Sequence, residues 1–380
     1  MAFGPWGRRQ SHEPPEPKSA DRKEQFPCDQ CGAILAYAPG TDQLACLYCG
    51  HLNRIQQSAE KIVENDLSAT LTRLGQDAPV EETLNVKCGS CAAEFTFEAH
   101  IHAGLCPFCG MPVVADTGPH RHIKPQAVLP FLIGEAEARR QVSAWLRRLW
   151  FAPNKLADHA RGEGALTGMY LPFWTYDSNS ESRYTGQRGD VYYEPRRVTT
   201  IVDGKRVTKT VMVPKIRWRP ASGNVSRFFD DVLVLASRSL PDALSRRIAP
   251  FDLENLKPYQ TDFLSGFQSE AYQIGLEQGF DEAKQIMLQQ IRADVRNHIG
   301  GDQQRIHSLD VRHFDPTFKH VLLPVWLASF SFLNRRYRFI VQGRTGEVVG
   351  ERPYSVWKIL LAVLAGLILI AIAAAVVASQ

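Results

Sequence analysis

A chain of 380 residues is long enough for two or three domains, each burying its own core. Its formal charge of +4 excludes a uniformly basic nucleic-acid binder, so any polyanion contact must come from a local patch. The apolar residues are unevenly spread, and the last twenty-five positions hold far more than their share.

The opening, MAFGPWGRRQSHEPPEPKSADRKEQF, lacks an apolar run of signal-peptide length, and its proline and charge content predicts a flexible lead-in over 1–25. Two cysteine quartets follow. Cys28, Cys31, Cys46 and Cys49 form two Cys-x-x-Cys hooks, and Cys88, Cys91, Cys106 and Cys109 repeat the spacing sixty positions later. Two such hooks on a short hairpin match the tetrahedral needs of zinc, so each set is expected to hold one structural Zn²⁺, with iron the alternative metal. The first hairpin should run through Ala33–Tyr37, turn at APGTD and return through Leu44–Cys46. The second should use AEFTFE as a strand and turn near Ala103–Gly104. Gly32, Gly50 and Gly110 follow a hook where a left-handed turn lets N–H groups approach sulfur, and Ala92 departs from that pattern. His51, His100 and His102 are read as turn residues, since each quartet is already full. The ribbons are placed at 26–53 and 85–116. Over the linker, 54–84, the spacing of Ile55, Ile62, Leu67, Leu71 and Leu74 predicts a helix.

From 117 to 353 the pattern predicts an α+β body rich in antiparallel strands. GEAEARRQVSAWLRRLW reads as an amphipathic helix ended by Pro153, with Val142, Trp145, Leu146, Leu149 and Trp150 on one face. YLPFWTYD, RRVTTIV, VTKTVMV and VLVLAS read as strands, with Asp203-Gly204 as a hairpin turn. Between Pro195 and Arg219 stand Arg196, Arg197, Lys205, Arg206, Lys209, Lys215, Arg217 and Arg219 against one acid, Asp203. These eight are the candidate ligands for an anion, either a nucleic acid or an anionic lipid. A long helix is expected from Phe267 to His298, opened by Ser265 and Gln268 as a capping box. Strands return at HVLLPVWLASFSF and YRFIVQG, with tight turns at 334–335 and 344–346. YLPFW (170–174) and LLPVW (322–326) echo each other, which hints at an internal duplication around the long helix.

The final segment, 354–380, contains twenty residues, 359–378, without a charged or polar side chain. At 1.5 Å per residue they span roughly 30 Å, enough to cross a bilayer core. Tyr354 and Trp357 stand where interfacial aromatics belong. Arg335, Arg336, Arg338, Arg344, Arg352 and Lys358 precede the span and no charge follows it, which predicts a single pass in the cytoplasmic membrane with the N-terminal bulk inside. In that compartment disulfides are disfavoured, in keeping with the metal reading.

No phosphate loop of the G-x-x-x-x-G-K-[ST] form, G-x-S-x-G elbow or H-E-x-x-H helix occurs, so no enzyme and no small-molecule substrate is expected. Asp230-Asp231 makes a poor acid–base pair, because neighbours on a strand point to opposite faces. His120 and His122 are read as surface residues. The paired hooks resemble zinc ribbons of the transcription factor IIB type. Together with the LPFW and LPVW phrases, VQGRTGEVVGERPYS and the terminal apolar helix, they resemble a bacterial membrane protein family often labelled primosomal protein N′ (replication factor Y), superfamily II helicase. The absent phosphate loop speaks against the helicase label. The resemblance implies an association with flotillin-like or phage-shock-type membrane proteins. The expectation is a membrane-anchored adaptor whose ribbons form a recruiting head. The alternative is a membrane-tethered nucleic-acid binder using the ribbons and the 195–219 stretch.

Overall fold

The computed structural model describes residues 26–33, 35–56, 58–74, 80–87, 93–96, 103–108, 112–114, 119–151, 166–202, 205–241, 244, 247–248, 250–332, 335–351 and 354–378. The first cysteine segment folds as three antiparallel strands, β1 (Leu35–Tyr37), β2 (Gln43–Cys46) and β3 (Leu52–Arg54), close to the expected hairpin. The linker is less helical than its spacing predicts. Ile55 turns into the core, and β4 (Asn65–Asp66) pairs with residues 317–318. Only then does α1 (Leu67–Leu74) begin, capped by Asp66 Oδ1 on the Ala69 N–H at 2.7 Å.

The second cysteine segment is built differently from the first. β5 (Val80–Lys87) pairs with both β6 (Glu94–Thr96) and β9 (Pro119–Ile123), which draws them into the main sheet. β7 (Ala103–Leu105), where a turn was expected, pairs with β8 (Pro112–Val114). Next come β10 (Ala127–Val128) and α2 (Glu135–Arg148), then two very long strands, β11 (Thr167–Val202) and β12 (Lys205–Leu235). The separate strands expected across 170–236 are one continuous hairpin. Its turn residues 203–204 lie outside the described residues, but Val202 opposite Lys205 fixes a two-residue connection.

After β13 (Lys257–Pro258) and β14 (Gln268–Ser269) comes α3 (Leu276–Ile299). It starts at Gly275, not at Phe267 with a Ser265–Gln268 box, because Gln268 and Ser269 are drawn into pairing with β11. β15 (Gln303–Phe332), β16 (Arg335–Gln342), β17 (Val348–Gly350) and α4 (Val356–Ala378) complete the chain's described elements. The result is an α+β fold around one large sheet, antiparallel except where β10 meets β15 and β14 meets β11.

Alternation along the central strands sorts the core onto two faces. Tyr170, Leu322, Trp326 and Val128 face the first cysteine hairpin and α2. Met169, Leu171, Val321, Leu323 and Leu129 face the opposite way, with Phe95, Cys106 and Phe108 of the second cysteine segment. Further along the first face, Trp174, Tyr176 and Phe318 pack beneath α3.

The echo between YLPFW and LLPVW is structural. Leu171 pairs with Leu323, so the two phrases meet about a local two-fold axis. β14 runs parallel to β11 with Met169 opposite Gln268, and β10 runs parallel to β15 with Ala127 opposite Val321. Trp174 Nε1 donates to the Ile274 carbonyl at 2.8 Å, and Trp326 Nε1 to that of Ile133 at 3.1 Å. Each carbonyl directly precedes the glycine N-cap of a helix, Gly275 for α3 and Gly134 for α2. The Pro172 carbonyl accepts from Ala236 N–H and that of Pro324 from Gly343 N–H, both at 2.9 Å. Two copies of a strand–helix–hairpin unit thus exchange contacts across the axis. Their hairpins point in opposite directions, and the first is much the longer. β15 begins opposite Gly189, so beyond it β11 and β12 continue alone as a two-stranded arm.

Candidate metal centre

In the first hairpin both hooks fold identically. Cys28 N–H donates to the Ala33 carbonyl (2.7 Å) and Gly32 N–H to the Cys28 carbonyl (2.8 Å). One hook later, Cys46 N–H donates to His51 (2.9 Å) and Gly50 N–H to Cys46 (2.9 Å). Gly32 and Gly50 take φ of 73° and 74°, the left-handed turn that closes each loop. The four sulfurs lie within 4.8 Å of one another, with Cys28–Cys49 and Cys31–Cys46 at 3.6 Å. A tetrahedron with metal–sulfur bonds of about 2.3 Å has edges of about 3.8 Å, so the donor set fits one Zn²⁺-sized ion.

The electrostatics point the same way. N–H groups of Cys49 and Tyr48 draw the Cys46 thiol down to about 6. Cys49 receives the His51 N–H, yet burial and the neighbouring thiols outweigh it and push Cys49 up to about 12. Four crowded thiolates need a compensating cation, and a divalent ion supplies it. Cys28 and Cys46 are buried, while Cys31 and Cys49 reach the surface. Between the second pair, Leu47 and Tyr48 are each 86% exposed.

Of the second quartet, Cys88, Cys91 and Cys109 lie outside the described residues, as do Gly110, His100 and His102. Cys106 is buried among core residues that include Phe95 and Phe108.

The basic stretch forms the arm. Register and alternation place Arg196, Lys209, Lys215, Arg217 and Arg219 on one face and Arg197 and Arg206 on the other; Lys205 opens β12. Lys215 pairs with Glu194, and Arg219 lies 4.0 Å from Asp190. Residues 190–219 carry eight basic side chains against three acids, an excess of five where the whole chain has four. The arm therefore holds the molecule's entire positive surplus.

Two sites escape sequence reasoning. Asp177, Asp230 and Asp231 bring carboxylate oxygens within 4.8 Å of one another. The expectation that Asp230 and Asp231 diverge fails because the register shifts between Tyr176 and Ser178 and Asp231 takes φ 51°, which breaks the alternation. Lys319 Nζ answers the acids, 2.8 Å from Asp231 and 3.1 Å from Glu64, so the cluster ties the segment before β4 to the sheet. Burial, then the bond to Glu64, pushes Asp177 up to about 6. The second is Glu270, 2% exposed. Its Oε1 accepts from Ser237 Oγ at 2.8 Å and from Ser239 Oγ, while Oε2 has no partner among the described residues. Its flanks, Phe267 to Tyr272, carry no periodic signal that would mark it as buried.

α4 is the one described helix long and apolar enough to cross a membrane. Val356–Val377 has mean hydropathy 3.1 and none of that stretch is buried.

No family model matches the chain, and no solved structure matches it. Its sequence is similar to that of YdjG, an uncharacterized protein of Bacillus subtilis (strain 168), with 28% identity over 343 residues covering 88% of this chain and 91% of that protein.

Proposed function

We propose that the protein is a non-enzymatic, membrane-anchored zinc-ribbon adaptor, held by α4 and presenting its first cysteine hairpin to a partner protein. The observation that carries this reading is the pairing of an uncovered apolar helix with a closed four-thiol knuckle whose tip is apolar. A full ligand set leaves no open position for a substrate water, so the metal's role is to hold shape. Leu47 and Tyr48, with Leu52 at 51% exposure, give that knuckle a hydrophobic contact surface of the kind that seats protein partners. Orientation with the bulk in the cytoplasm, a second zinc ion at Cys88, Cys91, Cys106 and Cys109, and a flotillin-like or phage-shock-type partner belong to the same proposal.

The test uses membranes of a bacterium expressing the full chain, with cross-linking and identification of what co-purifies. Leu47→Ser with Tyr48→Ser should keep the metal and membrane attachment but lose the flotillin-like or phage-shock-type partner. Retention of that partner by the double variant refutes the knuckle as recruiter.

A second reading, a membrane-tethered nucleic-acid binder, is favoured by the arm alone. Two free strands of thirteen or more residues extend roughly 40 Å beyond the sheet, and the surplus charge is concentrated there. That reading requires duplex binding by the full chain that weakens steeply with salt, and weaker binding after Arg196, Lys209 and Arg217 are replaced by Gln.

A further inference from the structure

The anchor helix does not leave the body as a free tether. Ser355, just before α4, donates its N–H to the Phe151 carbonyl at 2.7 Å, and Lys358 Nζ donates to the Trp150 carbonyl at 3.1 Å. Residues some two hundred positions earlier, at the end of α2, are therefore fastened to the first turn of the apolar helix. That end carries two large exposed aromatics, Trp150 at 79% and Phe151 at 40%, and two exposed arginines, Arg147 and Arg148, in the last helical turn. Tyr354 and Trp357, 56% and 75% exposed, lie at the same level.

We infer that the C-terminal end of α2 is a bilayer-docking surface that joins Tyr354 and Trp357 in a collar set into anionic phospholipid headgroups. The inference rests on the reading of α4 as a membrane span. Ile359 opens the uninterrupted apolar run, so Ser355 lies about 6 Å outside it along the helix axis. The headgroup layer is roughly 5–8 Å deep on each side. The backbone bond to Ser355 fixes Phe151 in that layer. Trp and Tyr rings favour this depth because one part of the ring is apolar and the other can hydrogen-bond. Exposed aromatics at the end of a soluble helix are costly in water and are explained once the helix end is wet on one side and lipid-covered on the other. Arg147 and Arg148 also complement the α2 dipole, but that role requires no aromatic neighbours. Their position beside Trp150 matches the sign of an anionic leaflet. α2 thereby fixes the tilt of the body on the membrane, which a single unstructured junction would leave free.

The test is tryptophan quenching in the full-length protein, placed in phosphatidylcholine vesicles with and without phosphatidylglycerol, the lipids brominated high on the acyl chain. Comparing wild type with Trp150→Phe isolates the emission of Trp150, and Trp357→Phe isolates that of Trp357. The inference expects the Trp150 component to be blue-shifted and quenched, with more quenching when phosphatidylglycerol is present. Arg147→Gln with Arg148→Gln should remove that lipid-dependent gain. If Trp357 is quenched and Trp150 is not, the collar is wrong while the span stands. If neither is quenched, α4 is outside the bilayer and both readings fall. Quenching indifferent to phosphatidylglycerol overturns the part assigned to the arginines.

Discussion

Glu270 is a carboxyl group buried where its charge is poorly served. Burial pushes it up to about 8, against the pull of the Ser239 and Ser237 hydroxyls, and Glu94 adds repulsion. In the unfolded chain the same group titrates near 4.3. Between those values the folded state binds the proton and the unfolded state does not, so stability falls as pH rises through the window. The full difference corresponds to about 5 kcal/mol at most. Gln at this position keeps an oxygen for both serine hydroxyls and removes the titration. Glu270→Gln should match wild type near pH 4 and exceed it by a few kcal/mol at pH 8. Urea midpoints measured in mild detergent across that range decide it. A parallel pH dependence in the two proteins would show that Glu270 is ionised in the fold.

At the scale of elements, the duplication shows which constraints bear on a helix. α2 and α3 occupy equivalent places, and the buried position four residues past the N-cap is Ala138 in one and Gly279 in the other. The difference is set by the strand beneath. A Cβ at Gly279 would fall on Tyr176 Oη and 2.8 Å from Trp174 Cδ1. In the other copy the residue corresponding to Tyr176 is Ala328, which packs in the same core as Ala138. Gly279→Ala gains helix propensity of about 1 kcal/mol, yet overpacking against two fixed rings costs about 1–3 kcal/mol, so the variant should be less stable. Combining it with Tyr176→Phe should recover part of the loss, and a double-mutant cycle in urea would read a coupling of about 0.5–3 kcal/mol. Additive effects would separate Gly279 from Tyr176. The same comparison explains what could be read in the sequence. The first knuckle was legible because Cys28, Gly32, Cys46 and Gly50 carry their own local geometry, and the apolar run from Ile359 needs no partner to be recognised. The start of α3 was not, because Gln268 and Ser269 become a strand only through β11, some hundred residues away. The convergence of Asp177 with Asp231 depends on a register shift between two strands, which no single segment encodes.

Seen whole, the molecule is polarised. The basic arm continues the long first hairpin, and the apolar helix α4 follows the short second hairpin, which points the opposite way. The first cysteine hairpin belongs to the same half as α4 and is not an independent head. Leu35, Tyr37, Leu44 and Cys46 share a core with Phe131, Tyr170, Trp326 and the buried side of α2. Tyr37 N–H donates to Ser265 (2.9 Å), Ser265 Oγ to Leu35 (2.6 Å), and Gly40 N–H to Phe131 (2.9 Å). α3 packs over a separate core around Trp174 and Phe318. Metal binding is coupled to local folding, so if Cys28, Cys31, Cys46 and Cys49 hold the proposed ion, removing it should free the two hooks. The freed β1 and β2 would then uncover Phe131 and Tyr170, and the disturbance should pass through α2 towards α4 while leaving α3 intact. Hydrogen exchange on the chelator-treated protein should therefore speed up over 26–56, 126–148 and 322–341, with 276–299 still protected. A gain confined to 26–56 would make the knuckle an autonomous unit. Loss of protection in α3 as well would mean that the two cores unfold together, and that the proposed metal stabilises the entire body from one face of its sheet.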